Sequence, residues 1–434
     1  MYKWYVLGVL LVVNMVAFID RTVFALLITP ISEDLQISDT AISLLHGAAF
    51  ALFYTAMSIP MGRLVDQGNR RNILAVAAGF WSLMTAACGL ARDYWTLFAA
   101  RLGVGLGESA LSPAAYSIIA DYFERRTLGL AMSIYMFGVY LGIGLALIIG
   151  GTVIGALTEI GGLTLPVVGT LKPWQLTFII VGLPGVLLAL WLLTVREPTR
   201  RRTAAEVRQG TIPLPEVAAY TRRHWRAYAA HIVGFTFLGI MAYAQSAWTP
   251  TFFVRTYDWS LRDAGVSVGL VVMGFSAMGL LLGGFLADRW IARGARDGYF
   301  RVAMIGILAV VPLTALMALA PSGQAALAWL APQTFFSSWS FGVAAASLQV
   351  ITPNRMRGVM TGLYLIFFNG LGVSLGPLVV GLSTDYLFAD PMALRYSLIV
   401  VTTAAGVLSL MVFAIGRGAY ARRFAAVEAE QAAG

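Results

Sequence analysis

Gly62-Arg63-Leu64-Val65-Asp66-Gln67-Gly68-Asn69-Arg70-Arg71 and Gly284-Phe285-Leu286-Ala287-Asp288-Arg289 decide how this chain is built. Both read Gly-x-Leu-x-Asp, both follow a long apolar run, and both lead into arginine. A glycine so placed lets two helices approach closely. An aspartate there attracts a helix N-terminus or an arginine. One copy is a weak signal. Two copies at equivalent places, after the second and the eighth apolar run, mark a chain made of two similar halves.

Outward from these motifs, the apolar runs are each about 20 residues long, enough to cross a bilayer as helix. Twelve are expected, from Trp4–Pro30 to Leu394–Ile415, with the fourth at Trp95–Ala120. The links are short except after the sixth run. The expected organisation is an N-terminal six-helix bundle over 1–195, a linker loop over 196–226, a C-terminal six-helix bundle over 227–417 and a tail over 418–434. Two parallel halves of this kind suit a transporter that rocks about a central site. The fold class is therefore an all-α polytopic membrane protein.

Composition agrees. Of 434 residues, 59% are hydrophobic and 12% charged, and the mean hydropathy is +0.78. Soluble domains carry about 25% charged residues, so a soluble enzyme, a disulfide scaffold and a disordered chain are excluded. The first run is too long for the apolar core of a cleaved leader and reads as retained. A single cysteine, Cys88, and three scattered histidines give neither a disulfide nor a metal cluster. No cofactor is expected, and no Gly-x-x-x-x-Gly-Lys loop points to direct driving by ATP.

Net charge is +9, but its distribution speaks for topology rather than nucleic acid. With the N-terminus inside, 23 of the 30 Lys and Arg fall in inner segments, 5 in outer ones, and Arg21 and Arg101 in the spans. That asymmetry places both termini in the cytoplasm and the protein in the cell's inner membrane. The Arg-rich linker stands where it can touch anionic lipid heads.

Ionisable residues inside spans are costly and usually functional. At 1.5 Å per residue from the outer ends, Asp20 lies ~16 Å deep, Arg101 ~10 Å and Glu108 ~21 Å. Asp20 and Arg21 of the first span thus fall in height between Arg101 and Glu108 of the fourth. Arg101 and Glu108 are two turns apart on one face. Two acids and two bases at matched depth can neutralise one another. A carboxylate in low dielectric favours its protonated form, and a nearby guanidinium restores the ionised one. Asp20 and Glu108 are therefore the candidate proton carriers. Arg21 and Arg101 are candidates for charge pairing or for clamping an anionic substrate.

The two-half plan and the paired loops resemble the major facilitator superfamily. Gln67 stands where that family usually has arginine, and Asn69 where it usually has glycine. The text around the interior charges is more specific: Phe18-Ile19-Asp20-Arg21, Asn69-Arg70-Arg71, Trp81-Ser82, Arg101-x-x-x-Gly105-x-Gly107-Glu108-Ser109 and Ile119-Ala120-Asp121-Tyr122-Phe123. This set resembles the spinster branch. The resemblance implies export of lysolipids or sphingosine-phosphate-type lipids, with Asp20, Arg21, Arg101 and Glu108 as the coupling and substrate cluster. Related organic-anion symporters share an Asp-Arg pair in the first span.

Other polar and aromatic residues are candidates for an amphipathic cavity: His46, Tyr54, Ser112, Tyr116, Tyr135 and Tyr140 in the first half, and His231, Gln245, Trp248, Tyr364 and Asn369 in the second. Each can equally serve as a helix–helix hydrogen bond. Gly62, Asp66, Arg70, Arg71, Asp288 and Arg357 are candidates for a cytoplasmic gate, with Asp66 facing the eleventh span near Arg357 and Asp288 facing the fifth. The leading reading is a proton-coupled secondary transporter of an amphipathic anionic lipid, acting as a monomer with the bilayer, protons and a small-molecule substrate as partners and no nucleic acid. Proton symport of small organic anions or multidrug efflux is the alternative, and a membrane enzyme or receptor a remote one.

Overall fold

A computed structural model describes residues 1–166, 169–200 and 213–432. Among these, eleven helices are long and apolar enough to cross a membrane. The first span, Tyr2–Leu35, is two helices joined at Val23. The second is Asp39–Gln67, the third Arg70–Cys88, the fifth Arg125–Ile160 and the sixth Pro173–Leu192. The seventh is Trp225–Tyr257, the eighth Leu261–Ala292, the ninth Gly298–Ala318, the tenth Gly323–Ile351 and the eleventh Arg357–Phe388. The last helix, Leu394–Ala432, runs without a break through the segment expected as a tail, because its Ala, Arg and Glu residues are strong helix formers. The fourth span is the interrupted one. It consists of Tyr94–Glu108 and Leu111–Tyr122, which is why it is not among the eleven continuous helices.

Sequence chemistry sets the helix starts. Asn69 accepts from the Asn72 amide at 2.9 Å and caps the third span, which gives its departure from glycine a purpose. Asp93 and Thr96 form a capping box at the fourth, and the Thr96 amide hydrogen bond, with others from Thr96 and Trp95, holds the Asp93 carboxyl below its usual range. A short antiparallel hairpin, Leu163–Leu165 with Gly169–Leu171, departs from the all-helical expectation. Its six residues lie between the fifth and sixth spans, and their β-prone text was too short to stand out.

The chain forms two compact units. One contains Met1–Arg201 with Ser246–Met273 and Pro377–Leu394; the other contains Arg202–Gln245, Gly274–Gly376 and Arg395–Gly434. The part of the linker over 201–212 lies outside the described residues. In the first unit, span one packs on five, span two on four and span three on six; in the second, nine packs on ten. Large apolar side chains such as Leu187, Leu281 and Ile415 stand exposed on spans, as a lipid-facing surface requires.

Glycines set the tight seams, but not those of the repeated motif. A Cβ at Gly62 or Gly284 would meet nothing within 4 Å, so the expected close approach is not made there. The contacts lie further along the helices. A Cβ at Gly265 would lie 2.6 Å from the Leu147 carbonyl and 2.8 Å from Gly151 Cα, which joins spans five and eight in the first unit. Those are backbone atoms and cannot swing aside. Gly265→Val is expected to cost about 1–3 kcal/mol by overpacking, read as a lower melting temperature. An unchanged melting temperature would show that this seam opens freely.

Candidate functional site

In the first unit the interior charges of spans one and four come together as the spacing suggested, with one difference. Arg21 donates to Glu108 at 2.5 Å, and the Glu108 side chain is fully buried. Asp20 and Arg101 are also fully buried, yet they do not pair. Neither Asp20 oxygen has a hydrogen-bond partner among the described residues. Its carboxylate feels the charges of Glu108 and Arg101 and the Trp81 indole. Arg101 donates to the His46 carbonyl at 3.3 Å, while its Nε and one terminal nitrogen have no partner among the described residues.

Local backbone explains this arrangement. His46 lies in a π-helical turn, Leu44–Ala48, and its carbonyl accepts from Arg101. Such turns widen the helix and recur at functional positions. Gly105 and Gly107 let span four press on its neighbours: a Cβ at Gly105 would lie 2.3 Å from the Phe50 carbonyl, and one at Gly107 would lie 2.7 Å from Trp81 Cβ. The helix breaks immediately after Glu108. The glycines of the quoted motif thus set Glu108 and Arg101 against spans two and three.

Aromatic rings supply what the missing ion pair does not. The Arg21 guanidinium lies 4.3 Å from the Phe50 ring centre, 4.8 Å from Phe18 and 5.2 Å from Tyr54. Arg101 lies 4.9 Å from Phe24 and 5.7 Å from the same Phe50. Each such face stabilises a guanidinium by about 0.5–2 kcal/mol. Phe50 therefore serves both arginines, a role no charge pattern in the sequence announced.

The tyrosine candidates gather beside this cluster. Tyr54 is half-buried and stacks on Phe50 at 5.3 Å. Tyr116 meets Tyr135 edge-on at 5.7 Å, and Ser112 bonds to Tyr116. The Tyr135 hydroxyl is buried with no partner among the described residues. Tyr140 is half-buried on span five.

The candidates of the second half turn out otherwise. His231 is held through one ring nitrogen by Ala344 O and Ser347 Oγ, both at 2.9 Å. Gln245 donates to Thr402 at 2.7 Å and Thr314 at 3.3 Å. Tyr364 is buried among His231, Phe235 and Phe368. Trp248 donates to the Pro377 carbonyl at 3.1 Å. These four tie helices together in apolar surroundings, where a polar group needs a partner. Asn369, which accepts from Tyr243 at 2.9 Å, is half-buried.

The gate candidates divide. Asp66 and Asp288 are exposed at their helix ends. Arg70 is buried and committed within the first unit, bound to Asp121, to Glu197 at 2.7 Å and to the Pro198 carbonyl at 2.7 Å. Arg71 donates to Leu193 and Val195 carbonyls, and Arg357 to Gln349 and Thr352. These arginines bind ends of their own unit together. Glu197, in the linker, is the partner that sequence spacing did not reveal.

A second polar centre lies outside the candidate site residues. Asp39 and Arg255 form a two-pronged ion pair at 2.6 and 2.7 Å, with Asp39 5% exposed. Asp385 accepts from the amides of Asp39 and Thr40 at 3.2 and 2.7 Å, an anion at the start of span two. Ser43 donates to the Pro377 carbonyl at 2.9 Å, and a Cβ at Gly381 would lie 2.5 Å from the Asp39 carbonyl. Spans two, seven and eleven are thereby latched within the first unit. Asp39 and Arg255 are 216 residues apart, and nothing local to either announced the other.

The likenesses to known proteins follow the same lines. An efflux pump of Mycolicibacterium smegmatis is 28% identical over 96% of this chain and 94% of its own length. A probable L-galactonate transporter of Escherichia coli is 23% identical over 90% of this chain and 85% of its own. The crystal structure of a bacterial homologue of the human lysosomal transporter spinster, inward-facing and unoccupied, superposes with a TM-score of 0.77, at 27% identity and 98% coverage of both chains. The family and these relatives are transporters, in keeping with the absence of any catalytic group in the sequence reading. Residues 10–377 match the Major Facilitator Superfamily, and this twelve-span transporter chain belongs to that family.

Proposed function

We propose that the chain is a proton-coupled secondary transporter that moves an amphipathic anionic lipid or lysolipid by alternating access between its two six-helix halves. It acts as a monomer in the inner membrane with both ends cytoplasmic. The observation that supports this most is the split among the buried charges: Arg21 is bound to Glu108, while Asp20 and Arg101 make no direct ion pair among the described residues. Protonation of Glu108 releases Arg21, and the two guanidiniums can then receive a phosphate or carboxylate head. Phe18, Phe24, Phe50 and Tyr54 line the guanidiniums with the apolar surface an acyl chain requires. Asp20 is fully buried, and a proton on it removes a charge from the membrane interior.

The test is transport of a fluorescent lysolipid in proteoliposomes with and without a pH gradient. Glu108→Gln keeps shape and hydrogen bonding but cannot titrate. It is expected to remove the pH dependence while the protein folds normally. Wild-type pH dependence in both Glu108→Gln and Asp20→Asn would reduce the cluster to a lock between helices.

A second reading is a symporter of sugar acids. The L-galactonate transporter likeness supports it, and the unpartnered nitrogens of Arg101 suit a small carboxylate equally well. Thermal stabilisation across a panel of lysolipids, sphingoid phosphates and sugar acids separates the two.

The positive-inside asymmetry puts the Asp39–Arg255–Asp385 latch on the outer side. We read it as the outer gate in its closed form. Asp66 and Asp288 remain the proposed attachment points of the inner gate, engaging spans eleven and five when the cytoplasmic side closes.

A further inference from the structure

In the second unit, the end of the helix Leu214–Arg223, the start of span seven and residues 419–426 of the last helix line an open cleft of about 430 Å³. Arg223, His224, Trp225 and Arg226 line one side, and Arg422 and Arg423 the other. Arg423 binds Glu430 and lies over the Tyr220 ring, and Glu430 also acts on the charges of His224 and Arg223. The nearby Glu428 is committed to Arg296. Arg223, Arg226 and Arg422 are exposed and in no ion pair among the described residues.

A concave site whose Arg226 and Arg422 face no carboxylate among the described residues, with Arg223 sharing Glu430, keeps an excess of positive charge and attracts an anion with several acceptor oxygens, which a guanidinium fork fits bidentately. Trp225 is 57% exposed beside Arg226, at the end of a spanning helix. Exposed tryptophan at that height is an interfacial anchor, with its ring at headgroup level. Its presence argues for a ligand arriving from the bilayer rather than from solution. Arg423 is pinned by the Ile351 carbonyl and Tyr220, which fixes one wall of the cavity in place.

We propose that this cavity binds the phosphate of an anionic phospholipid of the inner leaflet. The site is separate from the Asp20–Arg101 cluster, and it rests only on the inward orientation of this end of spans seven and twelve. Basic pockets between spans on that side are suited to such headgroups, at about fivefold in affinity per arginine.

The full-length protein is purified in detergent, loaded with phosphatidylcholine vesicles containing phosphatidylglycerol, and the retained lipid is counted by native mass spectrometry. Arg226→Gln/Arg422→Gln is expected to retain phosphatidylglycerol about 25-fold more weakly than the wild type. The control Arg126→Gln/Arg293→Gln removes the same charge from exposed positions elsewhere and is expected to bind as the wild type does. Equal retention by the cavity variant and the wild type overturns the proposal. So does equal loss in the control, which would mark a general charge effect. Inorganic phosphate displacing the lipid at millimolar concentration would make the cavity a site for soluble anions and overturn it too. Transport measured on the same variant distinguishes this site from the coupling cluster, since lipid retention is read without it.

Discussion

Arg21→Ala is expected to abolish transport and to lower the melting temperature sharply. The substitution leaves Glu108 buried without its hydrogen-bonded cation, so it must either take up a proton or stay charged with only Arg101 as a nearby cation. Removing one partner of a buried pair costs about 3–5 kcal/mol. It also takes away a guanidinium held among three aromatic rings. The double variant Arg21→Ala/Glu108→Gln distinguishes charge from packing. Removing both charges should restore most of the thermal stability without restoring transport. If the single variant transports at the wild-type rate, Arg21 contributes neither to coupling nor to substrate binding.

Arg255→Ala is expected to open the latch. Asp385 still accepts from the Asp39 and Thr40 amides, but the buried Asp39 carboxylate loses both of its bonds to Arg255 and is left without its cation. A ligand or mutation moves a two-state equilibrium by its differential stabilisation of the two states. Losing a partly buried two-pronged pair corresponds to at least about a tenfold shift toward the state open at that end. Ser383→Cys provides the reporter: it lies on span eleven, 8% exposed, and its hydroxyl has no partner to lose among the described residues. Cys88 is buried and should stay silent. With Arg255→Ala added, a membrane-impermeant thiol reagent should label position 383 about tenfold faster. Arg255→Lys keeps the charge but not the fork and should fall between. No change in labelling would mean that packing at Gly381 and Ser43 holds this end by itself.

The Arg70 network carries a different consequence. Arg70 is buried with two carboxylates around it, so the arginine pair in the repeated motif braces one unit internally. The motif's aspartates are the residues left exposed. The first copy of the text therefore serves two tasks, bracing by Arg70 and Arg71 and, as proposed, closing by Asp66.

Much was written in the sequence itself. Length and apolarity of the runs fixed helices, because a chain in hydrocarbon must satisfy its own backbone. The paired Gly-x-Leu-x-Asp text suggested two halves, whereas the first compact unit also takes in Ser246–Met273 and Pro377–Leu394. The spacing of Arg101 and Glu108, seven residues on one helical face, put one above and one below the height of Asp20 and Arg21. Periodicity along one helix is local information, and it carried that far. Which charge met which was not local. Arg21 reached Glu108 rather than Asp20 because Gly105 and Gly107 let span four close on Phe50 and Trp81, and Phe50 then served both arginines. His231 and Gln245 were open to either a cavity or a helix–helix role and are bonded between helices, since only packing decides whether a polar side chain meets a carbonyl or an open space. Asp39 and Arg255 formed their pair across 216 residues. Contacts of that separation are decided by how helices dock, and no short-range pattern in a chain encodes them.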